Sequence, residues 1–173
     1  MNLLDSFKAI KAFIFDLDGV LTDGGLWVFP DAKYIRKMNI KDGFALQLAV
    51  KKGYQVAVIS GSHSDEVVIR LGKLGVKDVF MQETDKVSRL NLIMDKYKLD
   101  ISEVLFMGDD IPDYSAMQKV GLPCSPADAA SEIRQVSKYI SMFKGGEGCA
   151  RDVIEKVLKL NGHWELETDV VAK

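Results

Sequence analysis

Ala12-Phe13-Ile14-Phe15-Asp16-Leu17-Asp18-Gly19-Val20-Leu21-Thr22-Asp23-Gly24 opens on four apolar residues and breaks off in acid. Such a run reads as a buried strand, too short for a helix. Asp16 and Asp18 stand two residues apart, so in an extended chain both side chains leave the same side of the backbone. Gly19 allows a sharp turn away from the strand end. Two carboxylates at the mouth of a sheet repel one another, and a cation or a shared proton relieves them. An isolated Asp-x-Asp is also consistent with a capped strand end. An EF-hand calcium loop is excluded, because Trp27 stands at the twelfth position, where a Glu is required.

Outward from this stretch, short apolar strands alternate with helical segments. Residues 1–10 read as a partly helical lead-in. Leu26–Phe29 and Tyr34–Asn39 read as a β-hairpin turning at Pro30-Asp31-Ala32-Lys33. Its Trp27, Phe29, Tyr34 and Ile35 either pack on the rest of the chain or form an interface with another subunit. Asp42 is read as the N-cap of a helix reaching Lys52, closed by Gly53. Strand Tyr54–Ile59 ends in Ser60-Gly61, and a helix to Leu74 follows. Asp78–Phe80 is a short strand, and Asp85 opens a helix to Tyr97. Val104–Met107 is a strand, Pro112–Val120 a helix, Leu122–Cys124 a strand, Ala127–Val136 a helix and Tyr139–Ser141 a last strand. Gly145-Gly146-Glu147-Gly148 reads as a mobile hinge, Cys149–Leu160 as a terminal helix and 161–173 as a tail.

This alternation predicts one α/β domain over residues 1–173, a doubly wound parallel sheet with helices on both faces. Right-handed crossovers bring every strand's carboxyl end to one edge, where such sheets bind ligands. Asp16, Ser60 and Asp109 each follow an apolar strand and are expected to meet there. Between Asp23 and Asp42 there is room for a hairpin and not for a lid domain.

A chain of 173 residues, 47% hydrophobic and 28% charged, has the composition of an ordinary globular protein. Its formal net charge of −2 offers nucleic acid no basic field. Apolar runs of membrane-spanning length are missing, and the N-terminal residues lack a signal peptide's apolar core, so the expected compartment is the cytoplasm. Cys124 and Cys149 are expected to be buried thiols. His63 and His163 form no ligand cluster.

Asp16 to Gly24, then Val58-Ile59-Ser60-Gly61, then Lys86, then Met107-Gly108-Asp109-Asp110-Ile111-Pro112-Asp113 resemble, in order, the four motifs of the haloacid dehalogenase (HAD) superfamily. The resemblance implies a Rossmann-like fold and phosphoryl transfer through an aspartyl-phosphate intermediate. It implies Asp16 as nucleophile and Asp18 as acid and then base, with Ser60 and Lys86 binding the phosphoryl oxygens. It further implies Mg²⁺ held by Asp16, the Asp18 backbone carbonyl and Asp109. Asp110 and Asp113 would orient waters and Lys86 around that ion.

Within the superfamily, residues 10–160 resemble the capless sugar-acid phosphatases, through Asp16 to Gly25, Asn39-Ile-Lys-Asp42-Gly43, Gly108 to Asp113 and Lys144-Gly-Gly-Glu-Gly-Cys-Ala-Arg151. This implies hydrolysis of a 2-keto-3-deoxy sugar acid phosphate, with 3-deoxy-D-manno-octulosonate (KDO) 8-phosphate first and a nine-carbon sialic-acid-type 9-phosphate as the alternative. It also implies a homotetramer joined through the hairpins. In such an assembly Gly145, Gly146, Glu147 and Gly148 would reach a neighbouring subunit's site. Gly61, Arg70 and Lys73 are implied substrate contacts, the two cations suiting a carboxylate. Ser62-His63 departs from relatives that carry a charged residue after Gly61. A receiver-like signalling domain that accepts a phosphoryl group is a competing class. Its acceptor Asp would follow the third strand, and Asp16 follows the first.

Overall fold

The computed structural model describes residues 2–165 and residue 170. Chain order runs α1 (Leu3–Lys8), β1 (Ala12–Phe15), β2 (Trp27–Val28), β3 (Tyr34–Ile35), α2 (Ile40–Lys51), β4 (Gln55–Ile59), α3 (Asp65–Lys73), β5 (Asp78–Phe80) and α4 (Lys86–Tyr97). It continues with β6 (Val104–Met107), α5 (Tyr114–Met117), β7 (Leu122–Ser125), α6 (Ser131–Val136), β8 (Tyr139–Ile140) and α7 (Cys149–Leu160). Six strands form one parallel sheet in the order β5-β4-β1-β6-β7-β8. β2 and β3 form a separate antiparallel hairpin.

β1 lies at the centre because it is apolar on both faces. Phe13 and Phe15 pack among Leu46, Leu48 and Val153, on the side of α2 and α7. Ile14 packs on the other side with Leu90, Phe106 and Ile133, beneath α4 to α6. Phe15 is in register with Val58 on one neighbour and Met107 on the other. The chain moves from β1 to β4 and β5, then returns past β1 to β6. That reversal makes the end of β1 the topological switch point. Among the described residues, no helix is long and apolar enough to cross a membrane.

Several expected elements differ from those observed. Asn39, not Asp42, caps α2, its side chain accepting from Lys41 N at 2.8 Å. Asp42 is buried and serves another helix: its carboxylate accepts from Arg151 N at 2.7 Å, in the first turn of α7. The helix expected over Pro112–Val120 is a 3₁₀ turn (Ile111–Asp113) running into the short α5. The chain must then pass close to Ser102, where a Cβ on Gly121 would sit 2.6 Å from the Ser102 Cα. Ala127–Val136 shortens to α6 because the preceding amides are used elsewhere. Ala127 N donates to Phe143 O at 2.9 Å and Ala130 N to Asp109 O at 2.8 Å.

The second arm of the hairpin is also shorter than expected, and Met38 instead bridges Thr22. Residues 145–148, expected to be a hinge, are pinned. Gly146 N donates to Val20 O at 2.9 Å, and Gly145 N to Asp128 Oδ1 at 2.9 Å. Of the expected tail, residues 166–169 and 171–173 lie outside the described residues; Trp164 packs edge-on against Phe44. Cys124 and Cys149 are free and buried, as expected.

Candidate active site

Asp16 follows β1 directly and is 8% exposed, its amide still donating to Met107 O at 3.0 Å. Lys86 begins α4, and its ammonium bridges two carboxylates: Nζ lies 2.8 Å from Asp16 Oδ1 and 2.6 Å from Asp113 Oδ1. A lysine at a helix's positive end is disfavoured by the dipole, and these two anions offset that. Burial opposes the Lys86 charge, but Asp16 and Asp113 outweigh it and hold the group above the ordinary lysine value. Asp113 Oδ2 accepts from the amides of Asp109 at 3.1 Å and Asp110 at 3.4 Å, so one side chain shapes the whole turn after β6. A Cβ on Gly108 would lie 2.4 Å from that of Asp113. Only glycine lets the turn close this tightly.

Asp16, Asp109 and Asp113 each bring a carboxylate oxygen within 4.8 Å of the other two. Three carboxylates against the single ammonium of Lys86 leave a surplus of two negative charges. Burial, then the charges of Asp16 and Asp113, push Asp109 up to about 8. Burial, then the Asp113 charge, raise Asp16 to about 6 in spite of Lys86. Asp109 Oδ1 is buried without a hydrogen-bond partner. An orphaned acceptor in a cluster with that surplus suits a hard divalent cation with oxygen ligands, so these residues fit magnesium. Gly19, at φ +87°, makes the cluster possible, because a Cβ there would lie 1.9 Å from Asp109 Oδ2.

The other expected site residues spread around this centre. Asp18 turns toward the hairpin: Arg36 Nε donates to its Oδ1 at 2.8 Å and Nη2 to its Oδ2 at 3.2 Å. Thr22 Oγ1 also donates to Oδ1, at 3.3 Å. Ser60 is buried at the end of β4, its hydroxyl 2.8 Å from that of Ser62 and accepting from Ser62 N at 3.2 Å. Gly61 is exposed beside it. Asp110 is exposed and caps its own turn, accepting from Ile111 N at 2.8 Å. Arg70 lines a cleft of about 710 Å³ between the hairpin and the start of α3, together with Arg36 and His63. Lys73 is exposed in the last turn of α3 and is not part of that cleft.

Gly145 and Gly146 pack against the loop that follows β1 in their own chain. A Cβ on Gly145 would meet Gly19 O at 1.9 Å, and one on Gly146 would meet Asp23 N at 2.4 Å. Asn39 Nδ2 donates to Gly146 O at 3.2 Å, tying the start of α2 to the same segment, while Glu147 is exposed.

Arg36 escaped the sequence reading. No spacing pattern links it to Asp18; the one available hint was a basic pair, Arg36-Lys37, closing a hairpin next to an acidic loop. In the sequence Asn39 reads as the end of the hairpin's second arm and Asp42 as a helix cap, both within a stretch that resembles the capless sugar-acid phosphatases.

Residues 63–151 match the model of a family described as haloacid dehalogenase-like hydrolase. The KdsC protein of Escherichia coli strain K12, a 3-deoxy-D-manno-octulosonate 8-phosphate phosphatase, is 29% identical over 93% of this chain and 86% of its own length. The crystal structure of a probable YrbI-family phosphatase from Pseudomonas syringae pv. phaseolica 1448a shows 36% identity and a TM-score of 0.90, covering 93% of this chain and 92% of that one. A 3-deoxy-D-manno-octulosonate 8-phosphate phosphatase from Moraxella catarrhalis, solved with magnesium, phosphate and KDO, is 31% identical. Its TM-score is 0.87, with 91% of this chain and 90% of that one covered.

Proposed function

The chain belongs to the haloacid dehalogenase-like hydrolases, and we propose that it is a magnesium-dependent phosphatase that converts KDO 8-phosphate to KDO and inorganic phosphate. One observation carries the chemistry: Lys86 bridges Asp16 and Asp113 beside a buried Asp109 oxygen that has no partner. The substrate rests on likeness to the E. coli and M. catarrhalis enzymes.

In this reading an Asp16 oxygen attacks phosphorus, and the ester P–O bond breaks as the leaving oxygen takes a proton from Asp18. Asp18 then removes a proton from a water that attacks the aspartyl phosphate, releasing phosphate and restoring the Asp16 carboxylate. Splitting the displacement in two lowers the barrier of each half. Lys86 fixes the Asp16 carboxylate and opposes the charge on the phosphoryl oxygens, and the Ser60 hydroxyl adds a donor. Asp16, Asp109 and the Asp18 carbonyl would hold magnesium, with Asp113 adjoining; when bound, the ion supplies positive charge to the phosphoryl group.

Arg70, Lys73 and Gly61, with Glu147 and Gly148 of the glycine-rich segment, are the proposed contacts for the sugar acid, while Gly145 and Gly146, buried against their own chain, hold that segment in place. Copies of the chain associate through the hairpin, as a homotetramer in which the glycine-rich segment of one subunit borders its neighbour's site. The support is exposed apolar surface: Trp27 is 71% exposed and Val28 68%, more than a lone hairpin sustains in water. Buried free thiols agree with a reducing cytoplasm. The test is phosphate release with magnesium across KDO 8-phosphate, nine-carbon sugar acid 9-phosphates and neutral sugar phosphates, compared by kcat/KM. Preference for KDO 8-phosphate is the expected result. Equal rates throughout would reduce the assignment to a general phosphatase, and the absence of turnover would remove it.

A further inference from the structure

Arg36 belongs to none of the four motifs, yet it forms the closest charged contact of the proposed acid and base. Its side chain is only 7% exposed, and both oxygens of Asp18 are committed to its fork at 2.8 and 3.2 Å. Although the Asp18 side chain is 32% exposed, a bidentate guanidinium–carboxylate pair is among the stronger and more directional contacts available to a side chain. Thr22 reinforces it from inside the catalytic loop. Asp18 thus stands apart from the cluster of Asp16, Asp109 and Asp113, facing the hairpin.

Arg36 also lines the 710 Å³ cleft, a space large enough for a sugar acid, whose other charged lining is Lys33 and Arg70 with Asp65 and Glu66. Arg36 thus borders both Asp18 and the cleft. A neutral ligand offers that fork nothing in exchange for Asp18. An anionic group offers equivalent charge and equivalent acceptor geometry.

We propose that Arg36 is a latch on Asp18 that responds to substrate. In the free enzyme it holds the carboxylate toward the hairpin, and a carboxylate of the substrate, entering the cleft, takes over the guanidinium and releases Asp18 toward the leaving oxygen. Recognition of the substrate's second anion is thereby coupled to assembly of the catalytic pair, so specificity is expressed in turnover and not only in binding. Arg36 acts through Asp18 and is a positioning residue. The inference rests on the phosphatase reading given above.

The experiment compares kcat and KM for a phosphorylated sugar acid and for a neutral sugar phosphate of similar size, in the wild-type chain and in Arg36→Met and Arg36→Lys, with thermal unfolding as a check on folding. In the wild type the acid is turned over faster. In Arg36→Met the ratio of the two kcat values falls by on the order of tenfold. Arg36→Lys, which keeps the charge and loses the fork, lies between. An unchanged ratio with both rates reduced together would make Arg36 a structural prop and overturn the latch, as would a change confined to KM. Wild-type protein that releases phosphate from neither ester would overturn the phosphatase reading itself, an outcome distinct from an unchanged ratio in an active enzyme.

Discussion

At the amino edge of the sheet, Lys8, Lys11, Lys52, Tyr54, Glu103 and His163 help line a cavity of about 600 Å³, close in size to the 710 Å³ cleft beside the carboxyl edge. Both edges carry charged side chains, but they are arranged differently. At the amino edge the charges are matched, with one member of each pair exposed: Lys11 pairs with Glu103 at 2.5 Å and Lys52 with Glu165 at 3.1 Å. Hydrogen bonding to its partner holds Lys11 above the lysine value and Glu103 below the glutamate value, so each is kept in its charged form. At the carboxyl edge, burial and like charge push Asp16 up to about 6 and Asp109 to about 8, against their preferred charged form. Cavity volume does not distinguish the two places. Charge held where it is unfavourable does, and that is stored work a ligand can relieve.

The largest consequence of this contrast is at Asp16. In the proposed mechanism Asp16→Asn removes the attacking oxygen, and phosphate release is expected to fall by about a thousandfold or more, since the residual oxygen-binding groups cannot supply a nucleophile. The fold should survive, because the substitution deletes a buried charge that repels Asp109 and Asp113. A phosphate-release assay beside a melting curve reads both. Retained turnover would place the chemistry elsewhere.

Lys86→Met comes next and affects stability as well as rate. It leaves Asp16 and Asp113 buried without their shared cation. Breaking such an arrangement by removing one partner costs about 3 kcal/mol or more, measured with the divalent metal removed. Activity should drop on the order of 10²–10³-fold from the lost donor. Denaturant unfolding that shows no loss would mean that the carboxylates do not depend on Lys86.

The pH dependence follows from the same strain. Asp16, Asp109 and also Asp42, which burial raises to about 6, have folded-state values above the ordinary 3.8. A carboxyl group of that kind is protonated more readily in the fold than in the unfolded chain. Its contribution to stability is complete below about 3.8 and is lost as pH rises through the folded value. With metal chelated, the protein should therefore lose stability from about pH 4 through pH 6 for Asp16 and Asp42, and on to about pH 8 for Asp109. Magnesium should stabilise it most at the upper end of that range, where the cluster is fully charged. Melting temperature against pH, with and without magnesium, tests this, and Asp109→Asn should flatten the upper part of the chelated curve.

The sequence disclosed the sheet and its acidic carboxyl edge because both have local signatures. An apolar run that breaks into Asp-x-Asp-Gly, and another that breaks into Gly-Asp-Asp, position their own side chains through backbone geometry a few residues long. Lys86 was legible for the same reason, as the first residue after the helix cap Asp85. Arg36 was hidden because its partner Asp18 is eighteen residues away, across a hairpin whose closure depends on tertiary packing. Asp42 was misread because Asp at a helix start is a sound capping signal. Its competitor Asn39 was in plain view, but the need it actually meets, the open first turn of α7 after Gly148, lies more than a hundred residues downstream. The glycine-rich segment looked mobile for want of side chains. Its small size is instead what lets it pack against the backbone at Gly19 and Thr22.

The smallest expected effect belongs to the amino edge and tests the comparison from its other side. Tyr54 donates to, or accepts from, His163 Nδ1 at 2.8 Å, and the same ring packs on Phe13. Tyr54→Phe keeps the ring contact and deletes one solvent-accessible hydrogen bond, so the stability change should be about 1 kcal/mol or less. Phosphate release and its dependence on magnesium should stay as in the wild type. Tyr54 touches Phe13 of β1, the strand that Asp16 follows, and a rigid parallel sheet does not pass on the loss of a surface hydroxyl. A clear fall in kcat for Tyr54→Phe, without a matching loss of stability, would show that the two edges are coupled through β1, and the contrast drawn between them would fail.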